Sequence, residues 1–294
     1  MVNSSQTPLQ PSVKYRLFLR ICSYIRHQND HELLHINDMQ NIRCPPATEQ
    51  TCATYPVYTT MLPSATLYHM KVVIIIAGTN EPSNSAFLAT TFAKELEQQG
   101  CVTTMFRLRE LHIAHFTLER YTDGFLHEPD LLRVRDAIRA ADGIVVAAPI
   151  WNFGVPADLK NLIDCLGTFF LDSDARRKGL LGGKPLYCIF TGGAPATAWH
   201  AIMRRTTSSV PTALRYFGAS VIGTFFEGQC VPGRGTFGLV VDKRPRTLQR
   251  ISYESRSFAR VVQTFASTGA PPPKQRMTRR IMEWGEHLLE RLTP

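Results

Sequence analysis

Apolar residues in this chain form short unbroken runs, and from Met70 onward these runs alternate with stretches of helical period. The run at 72–76 is apolar at every position, which is typical of a strand buried on both faces of a parallel sheet. The run at 143–149 is again apolar throughout, and further strands are predicted at 102–108, 184–191 and 219–225. Strands that alternate with helical stretches in this way indicate βαβ units.

Between the strands, apolar residues recur every three or four positions, which predicts helices that each bury one face. The first predicted helix begins at Ala86. Further helices are predicted over 130–141, 155–166, 198–217, with an interruption near Pro211, and 248–267. Together these elements predict an α/β domain over 70–267, with a doubly wound five-stranded parallel sheet in a three-layer α/β/α arrangement.

The two ends of the chain differ from this core. Residues 1–69 lack a strong strand pattern and contain one helix candidate, 15–27, that carries basic residues. We expect residues 1–69 to be a poorly ordered N-terminal extension. Two other interpretations are equally open: the segment is a targeting peptide, or it lies upstream of a native start at Met70. Residues 268–294 contain the stiff proline linker APPPK and a helical apolar stripe, which is expected to pack on the domain or on a second subunit.

Composition narrows the class of protein. The chain has 294 residues, of which 44% are hydrophobic and 19% charged, as in globular domains. No apolar run reaches the roughly 18 residues of a membrane helix, so we expect no membrane partner. Seven cysteines without a C-x-x-C pair argue against a disulfide framework and favour a cytoplasmic location. The charge of +9 is concentrated in 243–294, where a solvated helix surface is favoured over nucleic-acid binding.

The segment after the first predicted strand is rich in small polar residues. Gly78 ends the strand, and the helical pattern begins at Ala86. A helix N-terminus offers unpaired N–H groups and a partial positive charge, so this loop suits an anion such as phosphate. The candidate anion-binding residues are Thr79, Asn80, Ser83, Asn84 and Ser85. A simpler interpretation, in which one serine only caps the helix, is open at this point.

Two further loops follow the third and fourth predicted strands. One consists of Pro149, Ile150, Trp151, Asn152, Phe153 and Gly154, and the other begins with Thr191, Gly192 and Gly193. Aromatic rings and a rigid backbone suit the wall of a flat heteroaromatic ligand, and paired glycines let such a ligand approach backbone N–H groups. Either loop alone is readily explained as a packed corner or a turn. Their joint occurrence at strand ends is harder to explain by packing.

These three loops resemble the NADPH-dependent FMN reductase group of flavodoxin-like proteins, which includes quinone and azo-dye reductases. The resemblance rests on GTNEPSNS at 78–85, PIWNFGVPADLKNLID at 149–164 and GKPLYCIFTGG at 183–193, in this order, and covers about 70–226. It implies that the first loop holds the phosphate of FMN and that the other two border the isoalloxazine ring. One position departs from the family pattern, which commonly has a basic residue where this chain has Glu81. An acid there weakens phosphate binding unless it points outward or is paired.

The resemblance further implies an NAD(P)H-dependent FMN oxidoreductase that reduces quinones, azo compounds, free flavin or a similar small acceptor by ping-pong hydride transfer. NADPH or NADH would be the donor, and the chemistry would belong to the flavin. Backbone N–H groups around Gly192 and Gly193 would stabilise the reduced ring. A non-enzymatic flavodoxin-like electron carrier, or a flavin-free interaction module, is the alternative. Since members of the family are often dimers, a homodimer or higher homo-oligomer is expected.

Several side chains outside the three loops are secondary candidates. His200 is a candidate proton donor to a quinone, and Arg204 and Arg205 are candidates for the extra phosphate of NADPH. For all three, packing or a solvated helix surface is the simpler interpretation. His112 and His115 would need further metal ligands that the spacing does not supply, so no metal is expected.

Overall fold

The computed structural model describes residues 69–172, 178–233, 238–271 and 273. The chain separates into two units, 1–63 and 64–294, and all described residues belong to the second. The predicted N-terminal extension, apart from His69, and the predicted C-terminal helix therefore lie outside the described residues.

Strands and helices alternate in the predicted order. The strands are β1 (Met70–Ile76), β2 (Cys101–Arg107), β3 (Gly143–Pro149), β4 (Pro185–Thr191) and β5 (Ser220–Glu227). The helices are α1 (Asn84–Gln98), α2 (Pro129–Ala140), α3 (Ala157–Phe170), α4 (Ala196–Ala201), α5 (Ser209–Tyr216) and α6 (Pro245–Thr268). Short 3₁₀ turns occupy 108–110, 118–121, 203–207 and 241–243.

The five strands form one parallel sheet in the order β2-β1-β3-β4-β5. The inner strands β1, β3 and β4 are buried along almost their whole length, as their unbroken apolar runs predict. By contrast, β2 lies at an edge, where Val102 and Met105 are 49% and 45% exposed. The strand order is that of flavodoxin, so the predicted doubly wound, five-stranded fold is confirmed.

Helices cover both faces of the sheet. On one face, α1 and α6 contribute Phe92 and Phe258 to a buried cluster with β-strand residues such as Ile74. On the other face, α2, α3 and α5 pack a second cluster that includes Leu131 and Leu162. Because each face of the sheet has its own apolar core, the predicted three-layer arrangement is also confirmed.

The predicted helix over 198–217 is interrupted, as expected, but not at the predicted place near Pro211. The chain forms α4, a 3₁₀ turn and then α5, so the break falls around 202–208, and Pro211 lies in the first turn of α5. Proline is tolerated there because first-turn N–H groups have no intrahelical acceptor. At the break, the hydroxyls of Thr206, Thr207 and Ser208 each donate to the carbonyl three residues earlier. Such local bonds compete with the α-helical pattern.

Candidate functional site

The three polar loops meet at the carboxyl edge of the sheet. After β1 the chain crosses to β2 on one side of β1, and it later returns to β3 on the other side of β1. Such a reversal of direction opens a cleft beyond the carboxyl ends of β1 and β3. The Ala77 N–H donates to Ala147 O at 2.8 Å, and the Ile150 N–H donates to Thr191 O at 2.7 Å. These bonds tie the starts of the loops together, so the fold brings the predicted segments to one place.

Ser83 caps α1, as the simpler interpretation of the first loop proposed. Its Oγ accepts the Ala86 N–H at 3.3 Å and lies 3.1 Å from Ser85 Oγ. Capping does not exhaust the donors of this turn, because the backbone N–H groups of Asn84 and Ser85 have no acceptor among the described residues. Helix capping and an anion site therefore coexist at the start of α1.

Gly78 is buried beneath the first loop. A Cβ added at this position would overlap the Ser83 hydroxyl and lie 2.6 Å from Ser85 Oγ. The glycine therefore lets the two serines close over the end of β1. Any larger residue would displace these two hydroxyls.

The Asn84 side chain has a role different from the predicted anion contact. Its amide nitrogen donates to Gly238 O at 2.9 Å and to Cys230 O at 3.4 Å. Its amide oxygen accepts the N–H groups of Val240 at 2.9 Å and Val241 at 3.3 Å. These bonds fasten the segment after β5 to the start of α1, so Asn84 offers an anion its backbone N–H and not its side chain.

The loop after β3 contains a tight turn. Trp151 and Gly154 exchange two backbone hydrogen bonds of 2.9 Å, and Asn152 and Phe153 between them have φ angles of 47° and 62°. Positive φ at both central residues is the type I′ geometry, which a phenylalanine adopts only at a cost of order 1–3 kcal/mol. The turn presents Trp151 and Phe153 at 38% and 73% exposure.

The two glycines after β4 differ in what their N–H groups can do. The Gly192 N–H donates to Glu227 O at 3.0 Å, so it is not available to a ligand, contrary to expectation. For the Gly193 N–H, no acceptor is found among the described residues. The carbonyl of Gly192 accepts the Cys230 N–H at 2.9 Å, which joins this loop to the segment after β5.

The loops enclose two adjoining cavities, which share Ile150, Gly192 and Gly193. The anion cavity, of about 110 Å³, is lined by Gly78, Asn80, Pro82, Ser83, Asn84, Pro149, Ile150, Trp151, Thr191, Gly192, Gly193, Cys230, Val231 and Gly238. The ring cavity, of about 240 Å³, is lined by Ile150, Asn152, Phe153, Gly192, Gly193, Ala194, Trp199, Met203 and Phe226. A cavity lined by serine and asparagine side chains, beside one lined by aromatic side chains, suits a ligand with an anionic end and a flat ring.

Some predicted residues lie outside both cavities. Among the residues of the three loops these are Thr79, the buried Ser85 and Gly154; the later candidates His200, Arg204 and Arg205 are exposed and also line neither cavity. Burial, and then the positive charges of Arg204 and Arg250, lower the pKa of His200. A lowered pKa favours the uncharged imidazole, which disfavours His200 as a proton donor.

Residues after β5 were missed by sequence reasoning. Cys230, Val231 and Gly238 line the anion cavity, and burial raises the pKa of the Cys230 thiol to about 11, so it is uncharged beside an anion. The sequence could have indicated these residues, because β5 is parallel to β1, β3 and β4 and its carboxyl end lies at the same edge of the sheet. Trp199 of α4 and Met203 of the 3₁₀ turn that follows had no comparable signal, since a buried tryptophan on a helix is usually part of the packing.

Arg244, which directly precedes α6, holds the segment after β5 in place. Its guanidinium donates to Glu227 Oε1 at 2.6 Å, to Gly228 O at 2.8 Å and to Gln229 O at 2.7 Å. Bonds from one guanidinium to three successive residues fix the backbone that leads to Cys230.

A family model described as NADPH-dependent FMN reductase matches residues 70–226, which is more than half of the chain. The chain belongs to the NADPH-dependent FMN reductase family. The resemblance seen in the three loops is thereby confirmed. With it, the predicted class of NAD(P)H-dependent flavin oxidoreductase and the predicted cofactor FMN are confirmed at the level of the family.

Curated relatives and solved structures agree with this family. The chain is 31% identical over 140 residues to an FMN-dependent NADH:quinone oxidoreductase of Mycoplasma pneumoniae, covering 43% of this chain and 70% of that protein. It is 33% identical over 132 residues to a Pseudomonas fluorescens protein of similar description, covering 40% and 65%. The fold is also similar to that of an NAD(P)H:quinone oxidoreductase from Methanothermobacter marburgensis, with a TM-score of 0.50, 20% identity and coverage of 64% and 95%.

Within this FMN reductase family, the site of the present chain fits FMN. The unpaired N–H groups of Asn84 and Ser85 suit the phosphate, and the close approach at Gly78 shapes the loop around it. The aromatic walls of the ring cavity suit the isoalloxazine ring. Among the described residues, no group of His, Cys, Asp or Glu side chains could hold a metal ion. None of the helices described is long and apolar enough to cross a membrane.

The acid that departs from the family pattern is paired in this structure. The Glu81 carboxylate accepts a hydrogen bond from Arg109 and lies 3.7 Å from the Arg107 guanidinium. Arg109 also donates to Thr79 O at 3.3 Å. The end of β2 thus supplies the positive charge that the first loop itself lacks, and it offsets Glu81 beside the anion cavity.

We expect Arg109→Gln to weaken FMN binding about fivefold, because it leaves the Glu81 charge near the proposed phosphate site compensated only by the more distant Arg107. Glu81→Gln is expected to leave the dissociation constant unchanged or to lower it. The measurement is a fluorescence titration of the apoprotein with FMN at low salt. Arg133→Gln, on the exposed pair with Asp130, is the matched control. If Glu81→Gln weakens FMN binding as much as Arg109→Gln does, then Arg109 does not act by offsetting the charge of Glu81.

Proposed function

We propose that this protein is an NAD(P)H-dependent FMN oxidoreductase that reduces quinones, azo compounds, free flavin or a similar small acceptor. The observation that carries the proposal is the pair of adjoining cavities, which share Ile150, Gly192 and Gly193 at the carboxyl edge of the sheet. FMN bound there would take hydride from the nicotinamide and pass it to the acceptor in ping-pong turnover.

The residues of the chain would bind and orient this cofactor without acid–base chemistry of their own. The turn at Asn80–Ser85 and the first turn of α1 would hold the phosphate. Phe153 would wall the ring from the ring cavity, Trp151 would border it from the adjoining anion cavity, and the Gly193 N–H would donate a hydrogen bond to its edge. The pairing of Glu81 removes the main argument for a flavin-free module.

The deciding experiment is to purify the protein, add FMN, record the visible spectrum, and follow the oxidation of NADPH and of NADH with a quinone. The proposal requires a bound-flavin spectrum and turnover above background. A flavin spectrum without turnover would favour an electron carrier, and the lack of both would leave an interaction module. Assembly as a homodimer stays a prediction that light scattering on the same sample checks.

Trp151→Ala is expected to raise the dissociation constant of FMN about tenfold, since it removes an aromatic wall whose ring contacts are worth about 1–1.5 kcal/mol beyond burial. The measurement is an FMN titration followed by the quinone reductase assay. Tyr253→Ala, which removes an exposed ring of α6, is the control. Equal flavin affinity and turnover in the Trp151 variant and the wild type would count against the proposed ring wall.

A further inference from the structure

The β5 exit (residues 227–230) lies alongside the loop that follows β4. Three backbone hydrogen bonds join them: Gly192 N–H to Glu227 O at 3.0 Å, Cys230 N–H to Gly192 O at 2.9 Å, and Gln229 N–H to Ala194 O at 3.1 Å. Gly193 lies between the bonded residues Gly192 and Ala194, and its own N–H has no acceptor in the described part of the chain. Gly193 also lines both cavities. The β5 exit therefore sets the position of a free N–H in the wall that the cavities share.

The backbone of the β5 exit is one that other residues must hold in place. Gln229 has a φ of 52°, a left-handed conformation that is unfavourable for a residue with a Cβ. At Gly228, an added Cβ would overlap Ala194 O and lie 2.6 Å from Ala196 N, so the exit passes directly against the loop after β4. An unfavourable φ beside such a close approach persists only where surrounding contacts fix the backbone.

Arg244 supplies those contacts from outside the site. Its guanidinium donates to the Glu227 carboxylate and to the carbonyls of Gly228 and Gln229, at 2.6, 2.8 and 2.7 Å. The Thr247 hydroxyl donates to the same Glu227 oxygen at 3.0 Å, which fixes this carboxylate against Arg244. Neither Arg244 nor Glu227 lines either cavity. Their bonds therefore reach the site only through the backbone of the β5 exit.

We propose that Arg244 is a positioning residue of the flavin site, which holds the β5 exit so that the Gly193 N–H stays available to the ring edge. The inference rests on the proposed function and extends it to a residue outside both cavities. An N–H donor at the ring edge stabilises the negative charge that reduction adds to a flavin. Arg244 therefore affects the reduction potential of the bound flavin as well as its affinity.

The first test compares Arg244→Met and Arg244→Lys with the wild type. The dissociation constant of FMN is measured by fluorescence titration of the apoprotein, and the reduction potential of the bound flavin by spectrophotometric redox titration. Arg244→Met is expected to raise the dissociation constant about tenfold and to make the potential more negative, since the Gly193 N–H loses its fixed position. Arg244→Lys keeps the charge, but an ammonium group does not reproduce the planar fork that reaches three acceptors. We expect it to raise the dissociation constant about threefold.

Arg256→Met is the matched control, because Arg256 lies on α6, pairs with Glu95 at 2.9 Å and lines neither cavity. It should leave the dissociation constant and the potential unchanged, and thermal melts of the apoproteins compare the loss of stability in the two methionine variants. Equal effects of Arg256→Met and Arg244→Met on the flavin would show a general effect of stability and overturn the inference. Wild-type values in Arg244→Lys would show that charge alone acts, which overturns it as well.

Gly228→Ala tests the same role without a change of charge. The added methyl group would overlap Ala194 O, so it separates the β5 exit from the loop after β4. We expect a rise in the dissociation constant of at least about tenfold and the same negative shift of the potential. Wild-type flavin affinity and potential in Gly228→Ala or in Arg244→Met overturn the inference alone. A wild-type protein that binds no flavin overturns the proposed function, and this inference with it.

Discussion

Gly78→Ala is expected to raise the dissociation constant of FMN at least about 100-fold while the domain stays folded. The added methyl group would overlap the Ser83 hydroxyl and lie 2.6 Å from Ser85 Oγ, so both hydroxyls must turn away from their present positions. Ser83 caps α1 by accepting the Ala86 N–H. A displaced cap would turn away the first-turn N–H groups that are proposed to hold the phosphate.

The measurement is a titration of apoprotein with FMN, paired with a thermal melt of the apoprotein. Gly124→Ala is the control, because a Cβ at Gly124 would meet no atom within 4 Å and strains only a backbone with φ of 80°. That control should cost about 1 kcal/mol of stability without changing flavin affinity. Flavin affinity of Gly78→Ala within threefold of the wild type would contradict the proposed phosphate loop.

Arg120→Met is expected to lower the free energy of unfolding by about 3–5 kcal/mol. Arg120 is 3% exposed, and its guanidinium donates to both Glu128 carboxylate oxygens, at 2.9 and 2.7 Å, and to Ala114 O at 2.9 Å. These bonds hold the long connection between β2 and α2. Methionine has similar length but no charge, so it would leave the Glu128 carboxylate partly buried without its partner.

Arg133→Met is the matched control for this variant. The Arg133 side chain is 66% exposed and pairs with Asp130 at 2.9 Å. An exposed pair of this kind contributes at most about 1 kcal/mol. The free energies of unfolding of the two variants are compared by urea unfolding at pH 7. An equal loss in both would show that the buried pair of Arg120 and Glu128 contributes no more than the exposed pair.

The same ion pair makes acid stability depend on Glu128. The hydrogen bonds from Arg120 lower the pKa of Glu128 to about 2, from an ordinary value of 4.5. Because the folded pKa lies below the unfolded one, this stabilisation is fully present above about pH 4.5 and is lost as the pH falls towards 2. Its size is roughly 3 kcal/mol, so Arg120→Met should show a shallower loss of stability over this pH range than the wild type.

Most of the site could be predicted from strand ends. The residues Pro149 to Phe153 and Thr191 to Gly193 line the cavities, because unbroken apolar runs mark buried parallel strands and ligands bind beyond their carboxyl ends. The roles of single side chains were less predictable. Asn84 is a surface-type residue whose four bonding partners lie 146 to 157 residues later in the chain, and nothing local indicates them.

Charge near the first loop shows the same difference. From sequence, Glu81 is an unfavourable acid beside a phosphate, and its nearest basic residues along the chain belong to other elements. In the structure β2 pairs with β1, with Arg107 opposite Ile76, which brings Arg107 and Arg109 to the loop after β1. The net charge around the first loop therefore depends on the pairing of β1 with β2, and the residue types in the loop do not specify that pairing.

The sequence by itself determined the parallel α/β fold, the family and the three loops that meet at the carboxyl edge of the sheet. Those features depend on local patterns: runs of apolar residues, helix starts and small residues at strand ends. Only the tertiary structure decided that Asn84 is a fastening residue, that Glu81 is compensated, and that the Gly192 N–H is already used. It also decided that Trp199 of α4 forms part of the wall of the ring cavity. The physical reason is that hydrogen bonds and ion pairs join residues far apart in sequence, so their partners are chosen by packing.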